Sequence, residues 1–402
     1  MTKSIPLSKT FLSGKELEYL TELVGKGDIS SDGRFSAACS RVLQERYSIE
    51  KVLLTPSCTA ALELAAILCG LEPGDEVILP SFTFTSTANA VLRMGARPVF
   101  VDVRPDTLNI DEALIESAIT SRTKAIVPVH YAGVGCEMDQ ITDLAARYNL
   151  HVIEDAAQGV NAFYRGRALG SIGALGAYSF HYTKNYGCGE GGALCVNSKQ
   201  FLERAEILRD KGTNRGRFLR GEVERYTWVD IGSSFVPSEL VCAFLYAQLE
   251  TLEWVAKRRQ KVSRFYEAHL RPLQEQDLLS LPSAPDHCQS NYHIYYILLP
   301  DAAIRNELMW HLNSRGIGAA SHYVPLHSSP MGKKLGYVEA DLPVTQFLAD
   351  CLLRLPLYPD LTESELTYVV DQIKLFSKAR ERPEFGKILA PSILRHGANQ
   401  FE

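Results

Sequence analysis

The chain has 402 residues, of which 46% are hydrophobic and 22% charged, and its formal net charge is −5. Such values are ordinary for a soluble protein of two or three domains, and the acidic balance gives no support for a nucleic-acid partner. No apolar run reaches the roughly 18 residues of a membrane span, and the N-terminus lacks an apolar signal-peptide core. Nine scattered cysteines without C-x-x-C spacing predict buried thiols in a cytoplasmic protein, with neither disulfides nor a structural metal site.

Short β-rich runs alternate with helical patterns from about residue 50 to about residue 155. "KVLLT" precedes the helical "SCTAALELAAILCG", which we expect to end on Gly70 as a C-cap. "EVILP", "RPVFVDV", "KAIVPVHY" and "HVIEDAA" are further strand candidates, and helical patterns separate them. This alternation predicts an α/β fold in which helices cover both faces of a mostly parallel sheet. In such sheets ligands bind beyond the carboxyl ends of the strands.

A long helical pattern from about Ser238 to Leu270 predicts a connector to a smaller C-terminal α+β domain. In that domain "YHIYYILL" and "GAASHYV" predict strands, and "AIRNELMWHLNSRG" predicts a helix. We expect an N-terminal arm over 1–30, a large domain over 31–250, a small domain over 251–378 and a charged tail over 379–402.

Three glycines, Gly187, Gly189 and Gly192, match the dinucleotide pattern G-x-G-x-x-G letter for letter. That motif needs a helix that opens on its last glycines. Here "ALCVNS" follows and is typical of a strand, so we reject a dinucleotide site.

Lys184 lies between an apolar run and a group of glycines, in "SFHYTKNYGCGEGGALCV". Its neighbours are aromatic or small, whereas a solvated lysine usually stands among polar residues. Asp155 follows the apolar part of "HVIEDAAQ", where its carboxylate would reach the ligand-binding edge of the sheet. Taken alone, each is more often explained structurally, Lys184 as a loop lysine and Asp155 as a helix cap or a surface acid.

Two further segments add to this pair. "TPSCTAAL" places Ser57, Cys58 and Thr59 at a turn from strand to helix, where free backbone N–H groups and the helix dipole favour a phosphate. A plain N-cap is the commoner explanation of such residues. "PSFTFTST" places Phe82 and Phe84 after the next strand. Aromatic residues there usually belong to the core, although one could cover a flat ring.

Together these parts meet the needs of a pyridine aldehyde phosphate. The amine of Lys184 would hold the aldehyde, and the carboxylate of Asp155 would keep the ring nitrogen protonated, which makes the ring an electron sink. The helix start at 57–59 would hold the phosphate, and Phe84 would lie against the ring.

The same stretches resemble the DegT/DnrJ/EryC1/StrS sugar aminotransferases, a branch of the aspartate aminotransferase (fold-type I) superfamily. The family patterns S-G-T-A-A-L and E-D-A-A-[HQ] stand here as "SCTAAL" and "EDAAQ", and F-S-F-[HY]-x-x-K-N…G-E-G-G stands as "YSFHYTKNYGCGEGG". The resemblance covers about residues 8 to 378. It implies a fold-type I transferase with pyridoxal 5'-phosphate as cofactor and a homodimer with a shared active site.

The resemblance also implies roles for the residues around the cofactor ring. Lys184 would bind the cofactor through its amine and then act as base and acid for the proton that moves in the reaction. Asp155 would pair with the ring nitrogen, and Gln158 would bond the ring hydroxyl oxygen. Phe84 would stack on the ring.

For the phosphate and the substrate the resemblance implies a second set of residues. The backbone of Cys58 and Thr59, with the hydroxyls of Thr59 and Ser179, would hold the phosphate. His322 and His327, in "HYVPLH", match the sugar-side loop of the family. Each of these histidines, taken alone, is more often structural.

One position departs from the family pattern. Many members donate an asparagine from the partner subunit to the phosphate, and this chain has Val236 there. Ser233 or Ser234 is the candidate replacement. His181, three residues before the lysine, is a further candidate for a supporting role.

Further stretches, among them "VDVRPDTLNIDEALIE" and "VPVHYAGVGCEMD", resemble the branch that converts TDP-4-keto-6-deoxy-D-glucose to TDP-4-amino-4,6-dideoxy-D-galactose (TDP-fucosamine) for enterobacterial common antigen. L-glutamate would be the amino donor. A 3-keto sugar or a GDP- or UDP-linked sugar stays open, as does a sensor that binds the sugar nucleotide without turnover. The related sugar dehydratases have a histidine in place of the lysine, so Lys184 argues against that class.

Overall fold

The computed structural model describes residues 4–379. The predicted tail therefore lies outside the described residues, apart from residue 379. The strands are β1 Lys51–Thr55, β2 Glu76–Pro80, β3 Arg97–Val101, β4 Thr123–Ile126, β5 His151–Asp155, β6 Phe163–Tyr164, β7 Arg167–Ala168, β8 Leu175–Ser179, β9 Gly192–Val196, β10 Cys288–Gln289, β11 Tyr295–Leu298 and β12 Leu352–Leu355.

Helices fill most of the sequence between and after these strands. They are α1 Glu16–Lys26, α2 Arg34–Tyr47, α3 Cys58–Leu68, α4 Thr85–Leu92, α5 Glu112–Ile115, α6 Met138–Tyr148, α7 Leu202–Arg209, α8 Arg215–Leu219, α9 Glu239–Leu249, α10 Leu252–Gln274, α11 Ala302–Asn313, α12 Pro330–Lys334, α13 Pro343–Cys351 and α14 Glu363–Lys378. Short 3-10 helices cover Glu116–Ala118, Tyr131–Gly133, Lys199–Phe201 and Glu339–Asp341.

The central sheet has seven strands in the order β1-β9-β8-β5-β4-β2-β3. Strands β8, β5, β4, β2 and β3 are parallel, and β9 pairs antiparallel with both β8 and β1. The predicted mostly parallel α/β sheet is confirmed. Because the carboxyl ends of β1, β2, β5 and β8 meet at one edge, the segments that follow these strands are brought together there.

Helices lie on both faces of this sheet, as the strands themselves show. Neighbouring strand residues point to opposite faces, and the buried side chains of Val152 and Ile153 belong to two different core clusters. One cluster contains α2, α6 and α9, and the other contains α3, α4 and α7. All nine cysteines are free thiols, and seven of them are buried.

A third core cluster lies under α10, α11, α14 and the two-stranded sheet of β11 and β12. A small cluster joins this region to the large sheet, with Phe82 and Tyr131 on one side and Tyr296 and Leu352 on the other. The N-terminal segment also reaches the small region, since the amide of Ile5 donates to the carbonyl of Gly316 at 2.8 Å. The boundaries between domains stay a prediction.

Three sequence predictions differ from the structure in detail. Helix α3 ends at Leu68, and Gly70 follows with a left-handed φ of 64°. The long pattern from Ser238 forms two helices, α9 and α10, because the hydroxyl and amide of Thr251 both bond the carbonyl of Gln248 and end α9.

The third difference concerns "GAASHYV". These residues form only a single bridge, between Ala320 and Arg354, instead of a strand. Tyr323 has a φ of 45°, which an extended strand does not allow. The turn at this residue carries His322 and Tyr323 into the cavity described next.

Candidate active site

A cavity of about 620 Å³ lies at the carboxyl edge of the large sheet, between this sheet and the small C-terminal region. Eight of the nine site residues predicted from the sequence line it. They are Cys58, Thr59, Phe84, Asp155, Gln158, Ser179, Lys184 and His322. The ninth, His327, does not.

Lys184 lies in the turn that follows β8, and its backbone amide donates to the carbonyl of His181 at 2.8 Å. Among residues 4–379 its amine makes no hydrogen bond or ion pair with another protein group. Burial lowers the pKa of this amine, and the nearby Cys58 and Asp155 oppose that effect only in part. Lys184 thus offers a half-buried amine with a weakened hold on its proton.

Asp155 is the last residue of β5 and is buried. One carboxylate oxygen accepts a hydrogen bond from the hydroxyl of Thr87 at 2.7 Å, and the other accepts from the amide of Ala157 at 3.1 Å. These two bonds fix the plane of the carboxylate. A buried acid held in this way is suited to a cationic ring nitrogen.

The start of α3 forms the floor of the cavity. Ser57 caps the helix, since its hydroxyl accepts from the amide of Ala60 at 3.1 Å, and the hydroxyls of Thr59 and Ser86 lie 2.7 Å apart. A Cβ on Gly192 would lie 2.4 Å from the amide nitrogen of Cys58, so only glycine allows β9 to approach this turn. The free N–H groups of the first turn can bind an anion.

Gln158 and the aromatic residues beside it form one side wall. The amide oxygen of Gln158 accepts from the backbone of Ala132 at 2.7 Å, and its nitrogen donates to the hydroxyl of Tyr323 at 3.0 Å. The rings of His322 and Tyr323 stack with centroids 3.7 Å apart, and Nδ1 of His322 lies 2.8 Å from the hydroxyl of Tyr131. Burial, and then the charge of Arg354, hold the pKa of His322 well below its ordinary value.

His327 lies away from the cavity, although the sequence placed it beside His322. It is fully buried, its Nδ1 lies 2.7 Å from the hydroxyl of Ser81, and its Nε2 lies 3.3 Å from the carbonyl oxygen of Glu339. The structure therefore does not bring His327 to the cavity where a sugar contact was expected, and both nitrogens of its ring already lie near protein polar atoms.

Phe84 is 59% exposed at the start of α4, whereas Phe82 is buried against Tyr131. Of these two phenylalanines, Phe84 is therefore the one that lines the cavity. His181 also lines it, whereas Val236 and the serines at 233 and 234 do not line it in this chain.

Sequence reasoning missed three cavity residues with basic side chains, Arg259, His293 and Arg354. The Nε of Arg354 is buried without a hydrogen-bond partner in the described part of the chain. Burial lowers the pKa of Arg354, and lowers that of Arg259 to about 9. A charged residue inside the apolar run "CLLRLPLYP" was the available signal for Arg354.

These residues fit pyridoxal phosphate. The cavity has an unpartnered amine, a fixed carboxylate, a helix start with free N–H groups and an exposed aromatic ring, which are the groups that the aldehyde, the ring nitrogen, the phosphate and the ring face require.

The comparisons with known proteins agree with this geometry. The family model described as "DegT/DnrJ/EryC1/StrS aminotransferase family" matches residues 11–374. The spore coat polysaccharide biosynthesis protein SpsC of Bacillus subtilis is 32% identical over 92% of this chain and 96% of its own length. A pleiotropic regulatory protein of Geobacillus stearothermophilus is 36% identical over 79% of this chain and 82% of its own.

Among solved structures, the putative sugar aminotransferase Spr1654 of Streptococcus pneumoniae in its PLP-form superposes with a TM-score of 0.86 at 25% identity, over 94% of this chain and 99% of its own. The same protein is also known in a PMP-form. With a match over nine-tenths of its length, this chain belongs to the DegT/DnrJ/EryC1/StrS aminotransferase family.

Proposed function

We propose that this protein is a pyridoxal-phosphate-dependent aminotransferase that converts a nucleotide-linked 4-keto-6-deoxy sugar to its 4-amino sugar, with L-glutamate as amino donor. The observation that carries the proposal is the amine of Lys184. It has no partner in residues 4–379, and it lies in one cavity with the carboxylate of Asp155 and the start of α3.

The cofactor, when bound, supplies the electron sink that makes a carbon–hydrogen bond next to nitrogen acidic. Lys184 is the group that takes and returns that proton, because its lowered pKa leaves more of the amine free near neutral pH. Asp155 holds the proton of the ring nitrogen, and the amides of Cys58 and Thr59 hold the phosphate. The hydroxyls of Ser179 and Thr59 add further hydrogen bonds to the phosphate.

The charges that line the cavity support an anionic amino donor. Lys184, Arg259 and Arg354 face the acids Asp155 and Glu190, and Asp155 is taken up by the ring nitrogen in this scheme. Arg354 has a buried N–H without an acceptor and no ion pair within residues 4–379. We assign it to a carboxylate of L-glutamate, since a guanidinium and a carboxylate match in charge and shape.

The sugar rests on the resemblance of the sequence and on the names of relatives. SpsC is named for polysaccharide biosynthesis, and Spr1654 is named as a putative sugar aminotransferase. TDP-4-keto-6-deoxy-D-glucose, which would become TDP-4-amino-4,6-dideoxy-D-galactose, is the substrate that we propose. We assign a contact with this substrate to His322, and the position of its ring in the lining of the cavity supports that assignment. A 3-keto sugar or a GDP- or UDP-linked sugar is the alternative.

A homodimer with a shared active site is part of the proposal. The segment around 226–231 exposes large apolar side chains, with Trp228 at 76%, Val229 at 50% and Ile231 at 54%. Such a patch is typical of a surface that another chain covers. Because Val236 stands where the family has its asparagine, Ser233 or Ser234, just after this segment, is the candidate phosphate ligand for the partner's cavity.

A binding protein without turnover is the second candidate, because one relative is named as a regulatory protein.

No helix within residues 4–379 is both long enough and apolar enough to cross a membrane. A cytoplasmic location stays a prediction from the sequence.

The test is an absorption spectrum of the purified protein with pyridoxal phosphate, before and after L-glutamate, with Lys184→Ala beside it. We expect a visible band that depends on Lys184, that glutamate bleaches and that TDP-4-keto-6-deoxyglucose restores. A band that glutamate leaves unchanged would favour the binding protein. Restoration by a UDP- or GDP-linked sugar alone would correct the substrate.

A further inference from the structure

A chain of hydrogen bonds ties the residue after Lys184 to the start of β11. The side-chain nitrogen of Asn185 donates to the backbone carbonyl of Asn291 at 3.0 Å, and its oxygen lies 2.9 Å from Nδ1 of His293. Asn291 in turn donates to the carbonyls of Gln158 and Val160 at 2.7 and 2.8 Å. The loop at 291–293 is thus fixed directly against the cavity wall.

Arg259 holds the same loop from the other side. Its Nε donates to the carbonyl of Tyr292 at 2.9 Å, and its Nη2 donates to that of His293 at 2.6 Å. Tyr292 has a φ of 54°, which is costly for a residue with a side chain, so the loop keeps this shape because its neighbours hold it. The position of the His293 ring is therefore set by the fold.

The bonds of Asn185 decide which nitrogen of His293 carries the proton. A backbone carbonyl only accepts, so the side-chain nitrogen of Asn185 must face Asn291 and its oxygen must face His293. Nδ1 of His293 is then the donor, and Nε2 carries the lone pair. Burial lowers the pKa of His293 well below its ordinary value, and Lys184, Arg259, His322 and Arg354 add to that effect, so the ring is neutral near pH 7.

The free nitrogen of this ring belongs to a residue that lines the same cavity as Lys184. Nε2 of His293 has no hydrogen-bond partner within residues 4–379, and His293 lines the cavity. His293 and Lys184 together line this cavity and also a much smaller one beside it. A neutral acceptor therefore belongs to the same cavity as an amine that lacks an acceptor.

We propose that His293 is a positioning residue, and that the side chain of Lys184, which makes no hydrogen bond within residues 4–379, turns its ammonium group to the Nε2 of His293 when that amine is free and protonated. The bond directs the amine while it waits to return its proton. No proton passes to the ring, because the neighbouring cations disfavour a charged imidazole. The inference rests on the proposed function only in treating Lys184 as the reacting amine.

The first test needs neither cofactor nor turnover. Cofactor-free protein labelled with ¹⁵N-histidine is measured by long-range ¹H–¹⁵N NMR, and His293 is assigned as the signal that is lost in His293→Asn. We expect a neutral ring at pH 7 with its proton on Nδ1. A proton on Nε2, or a doubly protonated ring, would overturn the proposal, whatever happens to the aminotransferase assignment.

The second test compares two variants of His293. Asparagine can keep the donor towards Asn185 but has nothing at the place of Nε2, whereas glutamine can place an oxygen there. Labelling of cofactor-free protein with acetic anhydride across pH, read at the Lys184 peptide by mass spectrometry, reports the protonation of the amine. We expect the midpoint to fall in His293→Asn, because the ammonium loses its acceptor, and to return towards wild type in His293→Gln.

The matched control is His269→Asn, a substitution of an exposed histidine on α10 whose ring bonds only the backbone carbonyl of Phe265. It should leave the midpoint unchanged. An equal fall in both His293 variants would assign the effect to packing and overturn the proposal, as would no fall in His293→Asn.

In the cofactor-loaded protein, His293→Asn should lower kcat about tenfold, with little change in the KM for L-glutamate.

Discussion

The two walls of the cavity differ in how completely their polar groups are partnered. On the wall of the large sheet, Asp155 accepts two hydrogen bonds, and both ends of the Gln158 amide are occupied. On the wall of the small region, the Nε of Arg354 is buried without a partner, and Nε2 of His293 has none within residues 4–379. Apart from the amine of Lys184, these polar groups of the first wall have partners, whereas those of the second wall do not.

This difference distinguishes a site for a cofactor that stays bound from a site for substrates that bind and leave in each cycle. A buried N–H without a partner costs about 1–3 kcal/mol, so such a group is informative when it faces a cavity. The partnered carboxylate of Asp155 is preorganised for a cofactor that stays in place. The unpartnered cation of Arg354 is suited to a substrate anion that binds in each cycle.

The largest effect should come from removing from the first wall the amine of Lys184, which we propose as the reacting group. We expect Lys184→Ala to lower turnover about 10⁴-fold, because both the covalent hold on the cofactor and the proton carrier are lost. The measurement is single-turnover conversion of L-glutamate to 2-oxoglutarate. Lys257→Ala, on the exposed side of α10, is the control and should stay at the wild-type rate. A Lys184→Ala protein that still turns over would contradict the assignment.

The next effect should come from the acid on the same wall. Asp155→Asn keeps the size of the side chain and an acceptor for Thr87, but it removes the charge that we propose pairs with the ring nitrogen. We expect a loss in kcat of about 10²- to 10³-fold, with thermal unfolding close to wild type. Thr87→Val, which removes only the hydroxyl that orients Asp155, should lose less. Equal losses in the two variants would mean that geometry, rather than charge, is what Asp155 supplies.

On the second wall, Arg354→Gln should raise the KM for only one of the two substrates. Loss of a charge-assisted bond to a carboxylate should raise the KM for L-glutamate about 10- to 100-fold and leave the KM for the keto sugar nearly unchanged. Arg271→Gln, on the surface of α10, is the control. A rise in the KM for the keto sugar instead would move Arg354 to the nucleotide diphosphate and reverse the assignment of this wall.

The first wall was largely predictable from sequence because its residues lie at the ends of regular elements. Strand β5 reads as an apolar run that ends in Asp155, and β1 leads into α3 with Ser57 to Thr59 at the turn. The periodicity of apolar and polar residues locates the ends of such strands and helices. A parallel sheet then brings the carboxyl ends of its strands to one edge. The α/β fold followed from the same alternation.

The second wall was predicted poorly because its residues meet through tertiary contacts. His293 is held by Asn185, 108 positions earlier in the chain, and no local period links them. His322 and His327 belong to one motif, yet the left-handed turn at Tyr323 sends one ring into the cavity and leaves the other buried against Ser81. Spacing alone does not reveal that difference.

His327 gives a prediction about stability rather than activity. Ser81→Ala removes the hydroxyl that bonds both the ring and the backbone amide of His327, and leaves these buried groups without a partner. We expect a loss of about 1–3 kcal/mol in the free energy of unfolding, with an unchanged KM for the keto sugar. The measurement is urea unfolding, with Ser117→Ala on the surface as control. A raised KM at wild-type stability would return His327 to the substrate side.

The smallest effect should be a loss of stability when His322, on the second wall, is titrated in the ligand-free protein. The pKa of His322 is depressed well below its unfolded value of about 6.5. Just below pH 6.5 the unfolded chain therefore binds a proton at this residue, whereas the folded chain does not. Stability therefore falls as the pH drops below about 6.5, by at most about 1.4 kcal/mol for each pH unit per histidine. Urea unfolding of cofactor-free protein at pH 7 and pH 5 measures this loss. It should be smaller in His322→Gln and unchanged in His269→Gln. An equal loss in all three proteins would mean that the second wall already holds its histidine charged, and the walls would then differ less than the structure indicates.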